Sequence, residues 1–196
     1  MSELFSVPRI TTEAWRFGLR PGWAVDLRTG TDLSQPSERK EVEDQIDRDK
    51  LWLTVTSPPC TEHSSLQRFN RPKQDPEKVE ARLETSRGHL DFSMRIASKQ
   101  MDELRYFLHE HPHSADSWQN GSIKKILEDK RVIYTRADLC HFDFCAVPGD
   151  PRPSRKTAGL ITNSPEIAKM MDKRCQCVGL NPHAVLLNGT AKNADK

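Results

Sequence analysis

Leu51-Trp52-Leu53-Thr54-Val55-Thr56-Ser57-Pro58-Pro59-Cys60 decides how this chain is read. The first six residues are apolar or β-branched and predict a buried strand. Two prolines then end it, because each fixes its own φ and restrains the residue before it. A thiol at the end of such a turn is held rigidly and is a candidate nucleophile. About fifty residues on, Tyr106-Phe107-Leu108 forms a second apolar run that leads into His109-Glu110-His111-Pro112. A nucleophile at one strand end and an acid at another is how an α/β enzyme assembles a site.

The rest of the chain extends this alternation. Glu3 to Ser6 reads as a first strand and Thr11 to Gly18 as a short helix with glycine at its stop. Trp23 to Leu27 reads as a second strand. Ser37 to Asp49 is a charged surface helix, and Thr61 to Gln74 an exposed basic loop. Asp75-Pro76 opens the longest helix, whose apolar face is Val79, Leu83, Leu90, Met94, Ala97 and Met101. Arg105 to Leu108, Arg131 to Thr135 and Leu160 to Thr162 read as strands, and Ser122 to Asp129 and Pro165 to Arg174 as helices. Residues 148–157 read as a mobile basic loop. The expectation is an α/β fold with a doubly wound, mostly parallel sheet, as one domain over 1–188 with a frayed tail at 189–196. Ser6, Asp26, Cys60 and Glu110 each follow an apolar run, where such sheets bind ligands.

Composition narrows the function. The 196 residues are 35% hydrophobic and 30% charged with a net charge of +2, which suits a globular domain and neither requires nor excludes nucleic acid. No apolar run reaches membrane-spanning length, and the amino terminus lacks a signal-peptide pattern, so an intracellular, membrane-free setting is expected. The five cysteines are an odd number and do not read as a secreted disulfide framework. Cys140, Cys145, Cys175 and Cys177, with His141 or His183, lack the C-x2-C spacing of common zinc sites, so ordinary thiols and no metal are expected. His109, Glu110, His111 and His113 form a second, weaker metal candidate, with His109 and His111 on one face of a strand.

With these residues in view, the chain resembles the C5-cytosine-specific DNA methyltransferases, as a compact or degenerate relative of the sort carried by phages and mobile elements. The resemblance rests on Glu3-Leu4-Phe5-Ser6, Pro58-Pro59-Cys60 and Glu110, in that order, over roughly residues 3 to 145. It departs from the family at Val7-Pro8-Arg9, where glycines are usual, and at Thr61, where glutamine is usual. The family's Gln-x-Arg-x-Arg motif has Arg136 as its nearest counterpart, and no segment is long enough for a separate target-recognition domain. Thr56-Ser57-Pro58-Pro59 is also similar to the Ser-Pro-Pro-aromatic loop of N4-cytosine enzymes, but Cys60 stands at the aromatic position.

The resemblance implies a Rossmann-like fold that uses S-adenosylmethionine to methylate cytosine in DNA, flipped or single-stranded. Cys60 would add to C6 as thiolate, helped by His63 or Arg68, and Glu110 would hold a proton at N3. Phe5, Ser6 and Pro58 would border the cofactor, Asp26 would meet its ribose and Asp32 its adenine. Arg68, Arg71, Lys73 and Arg136 are the candidate phosphate contacts. The alternative is a catalytically inactive module of the same fold that binds nucleic acid or a protein.

Overall fold

The computed structural model of the chain describes residues 1–147, 149–180 and 182–184. The expected tail at 189–196 lies outside these residues. Six strands form one sheet: β1 (Ser2–Leu4), β2 (Ala24–Val25), β3 (Leu53–Thr56), β4 (Tyr106–Pro112), β5 (Ile133–Asp138) and β6 (Thr157–Thr162). Their order is β2-β1-β3-β4-β6-β5. The first four are mutually parallel, and β6 runs antiparallel to both β4 and β5. The chain steps outward from β1 to β2, then returns across β1 to place β3 on its other side. That reversal is the switch point at which open α/β sheets leave a crevice beyond their carboxyl ends.

Helices cover both faces. Register puts Leu4, Thr56, His109 and Ile161 on one face and Glu3, Val55, Leu108 and Thr162 on the other. Against the first face lie α2 (Pro36–Asp49), α4 (Pro76–Asp102) and α5 (Gly121–Leu127). Against the second lie α1 (Ile10–Ala14), where Thr11 meets Glu3, and α6 (Pro165–Met171), whose end meets Thr135 through Asp172. A short helix α3 (Ser65–Asn70) follows the Pro-Pro turn. None of the described helices is long and apolar enough to cross a membrane.

Local chemistry explains most boundaries. The Asp75 carboxylate accepts from the N–H groups of Glu77 and Lys78, and Pro76 takes the first helical position of α4. The 27 residues of α4 then present Phe92 and Ile96 to one apolar cluster, with Leu4, Val42 and Ile46. Leu90, Met94, Ala97 and Met101 face a second, with Phe107, Ile123 and Ile161. The expected apolar face of α4 is thus buried, except that Leu83 is only half-buried.

Several elements differ from the expectation, among them the strands near 131 and 160, which are Ile133–Asp138 and Thr157–Thr162, and the last helix, which ends at Met171. The α2 helix is not merely a surface helix, because Val42 and Ile46, one turn apart, are buried in the first cluster. Two apolar positions suffice where a single stripe meets the sheet. The segment 61–74 is not an irregular loop: turns Thr61–His63 and Arg71–Lys73 flank α3, with the Ser64 hydroxyl capping Gln67 N–H. The second strand is only Ala24–Val25, because Asp26 caps the tight turn Leu27–Thr29 and ends it. Conversely β4 does not stop at Leu108; it continues to Pro112 because β6 pairs with it from Leu108 onward.

Gly159 on β6 shows how closely that pairing is packed. It stands opposite His111, and a Cβ there would lie 2.5 Å from the Trp118 ring and 2.8 Å from the Tyr134 hydroxyl oxygen. Trp118 cannot withdraw freely, since its indole N–H donates to the Pro112 carbonyl at 2.8 Å. Gly159→Ala is therefore expected to destabilise the fold by about 1–3 kcal/mol, the usual cost of overpacking. Urea unfolding of the purified variant reads this directly, and an unchanged midpoint would contradict the packing.

Candidate functional site

The carboxyl ends of β1, β2 and β3 are tied by backbone bonds, from Ser6 N–H to the Val25 carbonyl and from Ser57 N–H to the Leu4 carbonyl, both 3.2 Å. Between them the chain turns at Phe5, whose φ of 60° lies in the left-handed region. Its ring packs against His89, centroids 5.1 Å apart, and edge-on to Phe92 at 6.4 Å. Glu3 points to the other face and is buried. Its carboxylate accepts from Arg9 N–H (3.0 Å), Thr11 N–H (2.7 Å), the Thr11 hydroxyl (2.8 Å) and the Ser6 hydroxyl (3.1 Å). Burial pushes this carboxyl up, but donation from Thr11, Arg9 and Ile10 outweighs it and holds Glu3 below the usual carboxylate range. Glu3 thus closes the first turn of α1, where Arg9 supplies no side-chain cap.

Cys60 ends the Ser57-Pro58-Pro59 turn beyond β3 and is half-buried. Its carbonyl accepts from His63 N–H at 3.0 Å, opening the tight turn Thr61–His63. Beneath the thiol loop lies a layer of imidazoles. His63 is buried with Nε2 2.9 Å from the Ser86 hydroxyl. The His109 Nδ1 lies 2.9 Å from the Thr56 hydroxyl, and the His111 Nδ1 2.6 Å from the Ser117 hydroxyl. The His109 and His111 rings are stacked at 6.1 Å, and His111 lies 5.8 Å from His63. The His111 ring lies near the Pro58 and Pro59 backbone, and its Nε2 is buried with no hydrogen-bond partner among the described residues. His111 therefore sits between Ser117 and the turn that carries Cys60.

These rings are kept neutral. Burial, reinforced by His63, pushes His111 down to about 3, against the pull of the Pro59 and Pro58 carbonyls. Burial and the neighbouring His111 hold His109 well below its ordinary value. Burial first, then Arg71, lowers His63. His89 falls to about 4 through burial and Arg39, opposed by Asp32.

Glu110 points to the opposite face from His109 and is half-buried. Thr56, the last residue of β3, pairs with His109, so Glu110 stands one step beyond the paired end of β3. The thiol turn therefore follows the end of β3 while the acid lies within the neighbouring parallel strand β4, which runs on to Pro112. His113, grouped with these histidines in the sequence, instead approaches the Tyr134 hydroxyl at 2.6 Å.

The remaining expected residues divide. Asp26 lies at the end of β2 and accepts from Arg28 N–H at 2.9 Å. Asp32 accepts from Ser34 N–H (2.9 Å) and the Gln35 amide (3.1 Å); the Ser34 side chain first, then these donors, hold its carboxyl below the usual range. A cavity of about 340 Å³ opens between the Pro-Pro-Cys turn and α4, lined by Pro59, Thr61, Glu62, Arg82, Thr85 and His89 among others. A larger one of about 500 Å³ lies at the amino ends of β1 and β3, beside Met1, Leu51 and Leu53, away from these groups. Arg68 is exposed on α3 and pairs with Asp116 at 3.3 Å; Lys73 and Phe69 are exposed nearby. The guanidinium of Arg71 turns inward and donates to the Glu62 carbonyl. Arg136 is elsewhere: on β5, paired with Asp138 at 3.1 Å, three strand positions from β3, or about 15 Å at the usual spacing.

The chain matches no family model, no curated protein and no solved structure. The site is therefore read from its own residues. Sequence reasoning missed Ser86 and Ser117, the hydroxyl partners of the buried imidazoles. The signal for that layer was the alternation Phe107, His109, His111, an inward period of two ending in polar rings.

Buried neutral imidazoles make stability pH-dependent. Unfolded histidines titrate near 6.5, so stability is complete above that value and falls as pH drops toward the lowered folded values. His111, with its folded value at about 3, is expected to cost about 2 kcal/mol at about pH 5 relative to about pH 7.5, and His109 to add a cost of the same sign. Urea unfolding at both pH values checks this, and His111→Gln should flatten one histidine's share of the slope.

Proposed function

We propose that the chain is an S-adenosylmethionine-dependent methyltransferase acting on cytosine C5 in DNA inside the cell, with Cys60 as nucleophile and Glu110 as its acid. The observation that carries this reading is the placement of the two groups. A thiol on a Pro-Pro turn ends β3, and a carboxyl stands one step past its last paired residue on the adjacent parallel strand. The sheet reversal beside β1 supports the reading, because open α/β sheets leave a crevice at such a reversal.

In this reading the Cys60 thiolate adds to C6 of the base and raises the electron density at C5. Glu110, protonated, holds its proton at N3, where charge develops as the thiolate adds. After methylation the C5 proton passes to solvent, Cys60 leaves as thiolate, and N3 returns its proton to Glu110, which restores the ring and the site. His111, hydrogen-bonded to Ser117 through Nδ1, packs beneath the Pro58-Pro59 turn that carries Cys60. S-adenosylmethionine, when bound, supplies the electrophilic methyl group. In this reading Asp26 and Asp32 would offer carboxylates for the ribose hydroxyls and the adenine amine, and Phe5, Ser6 and Pro58, on the turns after β1 and β3, would border the cofactor. Arg68 and Lys73, open on and beside α3 with the exposed Phe69, would meet DNA phosphates and an unstacked base.

A second reading has its own support. Val7-Pro8-Arg9 replaces the family's glycines, and Glu3 already occupies the N–H groups that open α1. These features favour an inactive module that binds nucleic acid or a protein. Calorimetric titration with S-adenosylmethionine and its demethylated product separates the two. Micromolar binding lost in Asp26→Ala supports the enzyme; no binding supports the module.

The nucleophile has a separate test. Oligonucleotides carrying 5-fluorocytosine should form a denaturation-resistant adduct with the native protein, and Cys60→Ser should abolish both adduct and methyl transfer at unchanged Tm. Full activity in Cys60→Ser would remove Cys60 from the mechanism.

A further inference from the structure

Far from Cys60 along the sheet order, the carboxyl end of β5 carries a second cluster of thiols. Cys140 is buried in the tight turn Leu139–Phe142 that directly follows β5. Cys175 and Cys177, separated only by Gln176, lie on the irregular segment that follows α6, with His183 beyond them. The three sulfurs and one imidazole nitrogen all lie within 4.8 Å of one another, and Cys175 Sγ is 3.3 Å from His183 Nε2. In a tetrahedral zinc site with Zn–S near 2.3 Å and Zn–N near 2.0–2.1 Å, the ligand-to-ligand edges are about 3.5–3.8 Å. The cluster is already at nearly that size.

We propose that Cys140, Cys175, Cys177 and His183 form a structural zinc site that fastens the carboxyl-terminal segment to the end of β5. Four ligands complete a tetrahedron and leave no open position, the mark of a structural site. Three thiolates with one imidazole suit zinc among the common divalent ions. Binding forms three Zn–S bonds and one Zn–N bond, and the three thiol protons leave to solvent.

The surroundings are built for a clip. The segment from Asp172 onward has no helix or regular strand among its described residues, only isolated bridges from Lys173 to Ala137 and from Ala184 to Ser154. Neither large apolar cluster includes it. Something other than apolar burial must hold it in place. Asp138 orients the ligand loop: its carboxylate accepts from Cys175 N–H at 3.0 Å and from the Thr157 hydroxyl at 2.6 Å. This polar support around a ligand is what metal sites use to fix their geometry. The C-x2-C spacing is absent because only two of the thiols come from one segment; the third arrives through the fold.

The inference is independent of the methyltransferase reading. The test is elemental analysis of the full chain, purified under reducing conditions without chelator, together with cobalt substitution. The expected result is about one zinc per chain, and a cobalt form with the visible absorption of a tetrahedral thiolate complex. Cys175→Ser and Cys140→Ser should lose the metal, while Cys60→Ser and Cys145→Ser should keep it. Chelation should lower Tm and open the chain to proteolysis after α6. A metal-free native protein that takes up no cobalt, a disulfide among these thiols in the reduced preparation, or full zinc content in Cys175→Ser would each overturn the proposal. The native stoichiometry decides the matter even if a variant fails to fold.

Discussion

The register between β3 and β4 governs this structure. It is fixed on the inward face by the Thr56 hydroxyl and His109 Nδ1, 2.9 Å apart in a buried layer. A slip of one residue would turn Phe107, His109 and His111 out of the core and bring Leu108, Glu110 and Pro112 in. It would also bury a carboxylate against the apolar face of α4, a penalty that no single new hydrogen bond could offset. The relation between the thiol turn and Glu110 follows from this pairing, and so does the packing of His111 beneath the Pro-Pro turn.

The inward face is unusual in being polar toward its carboxyl end. Apolar burial dominates around Phe107 and Leu90, and gives way to imidazoles and hydroxyls around His109, His111, His63, Ser86 and Ser117. Buried imidazoles weaken a core unless they are hydrogen-bonded and neutral. Each of these three has one ring nitrogen against a hydroxyl, and burial keeps each neutral. The layer exchanges some apolar stabilisation for directional contacts beneath the loop that carries Cys60.

The sequence was most legible where one local rule acted alone. Asp75-Pro76 announced α4, the Leu51–Thr56 run announced β3, and the Tyr106-Phe107-Leu108 run announced the start of β4. It was least legible where distant partners set the outcome. The length of β4 depends on β6, about fifty residues later, which no local pattern reports. The α2 helix looked solvated because its two buried residues are few, and only the sheet decides that two are enough. Segment 61–74 read as a loop because α3 is short and its cap, Ser64, precedes a stretch with little apolar periodicity. The thiol cluster was named in the sequence and set aside on spacing for a related reason: the order of these residues along the chain is not their order in space. Within the candidate site, Cys60 follows the end of β3 as its apolar run announced, whereas Glu110 lies inside β4 and not at its end, and two of the hydroxyls against the histidines belong to α4 and to the turn before α5.

The helix α4 has one more consequence. Its 27 residues span about 40 Å and contribute side chains to both apolar clusters, Phe92 and Ile96 to one and Leu90, Met94 and Met101 to the other. The two halves of the sheet therefore share a single strut. Neither half can melt while the other stays intact, because losing either cluster strips one face of the same rod. The slowest-exchanging amides should lie along α4 as one cooperative block, and breakage at its middle should divide the molecule into parts that no longer fold.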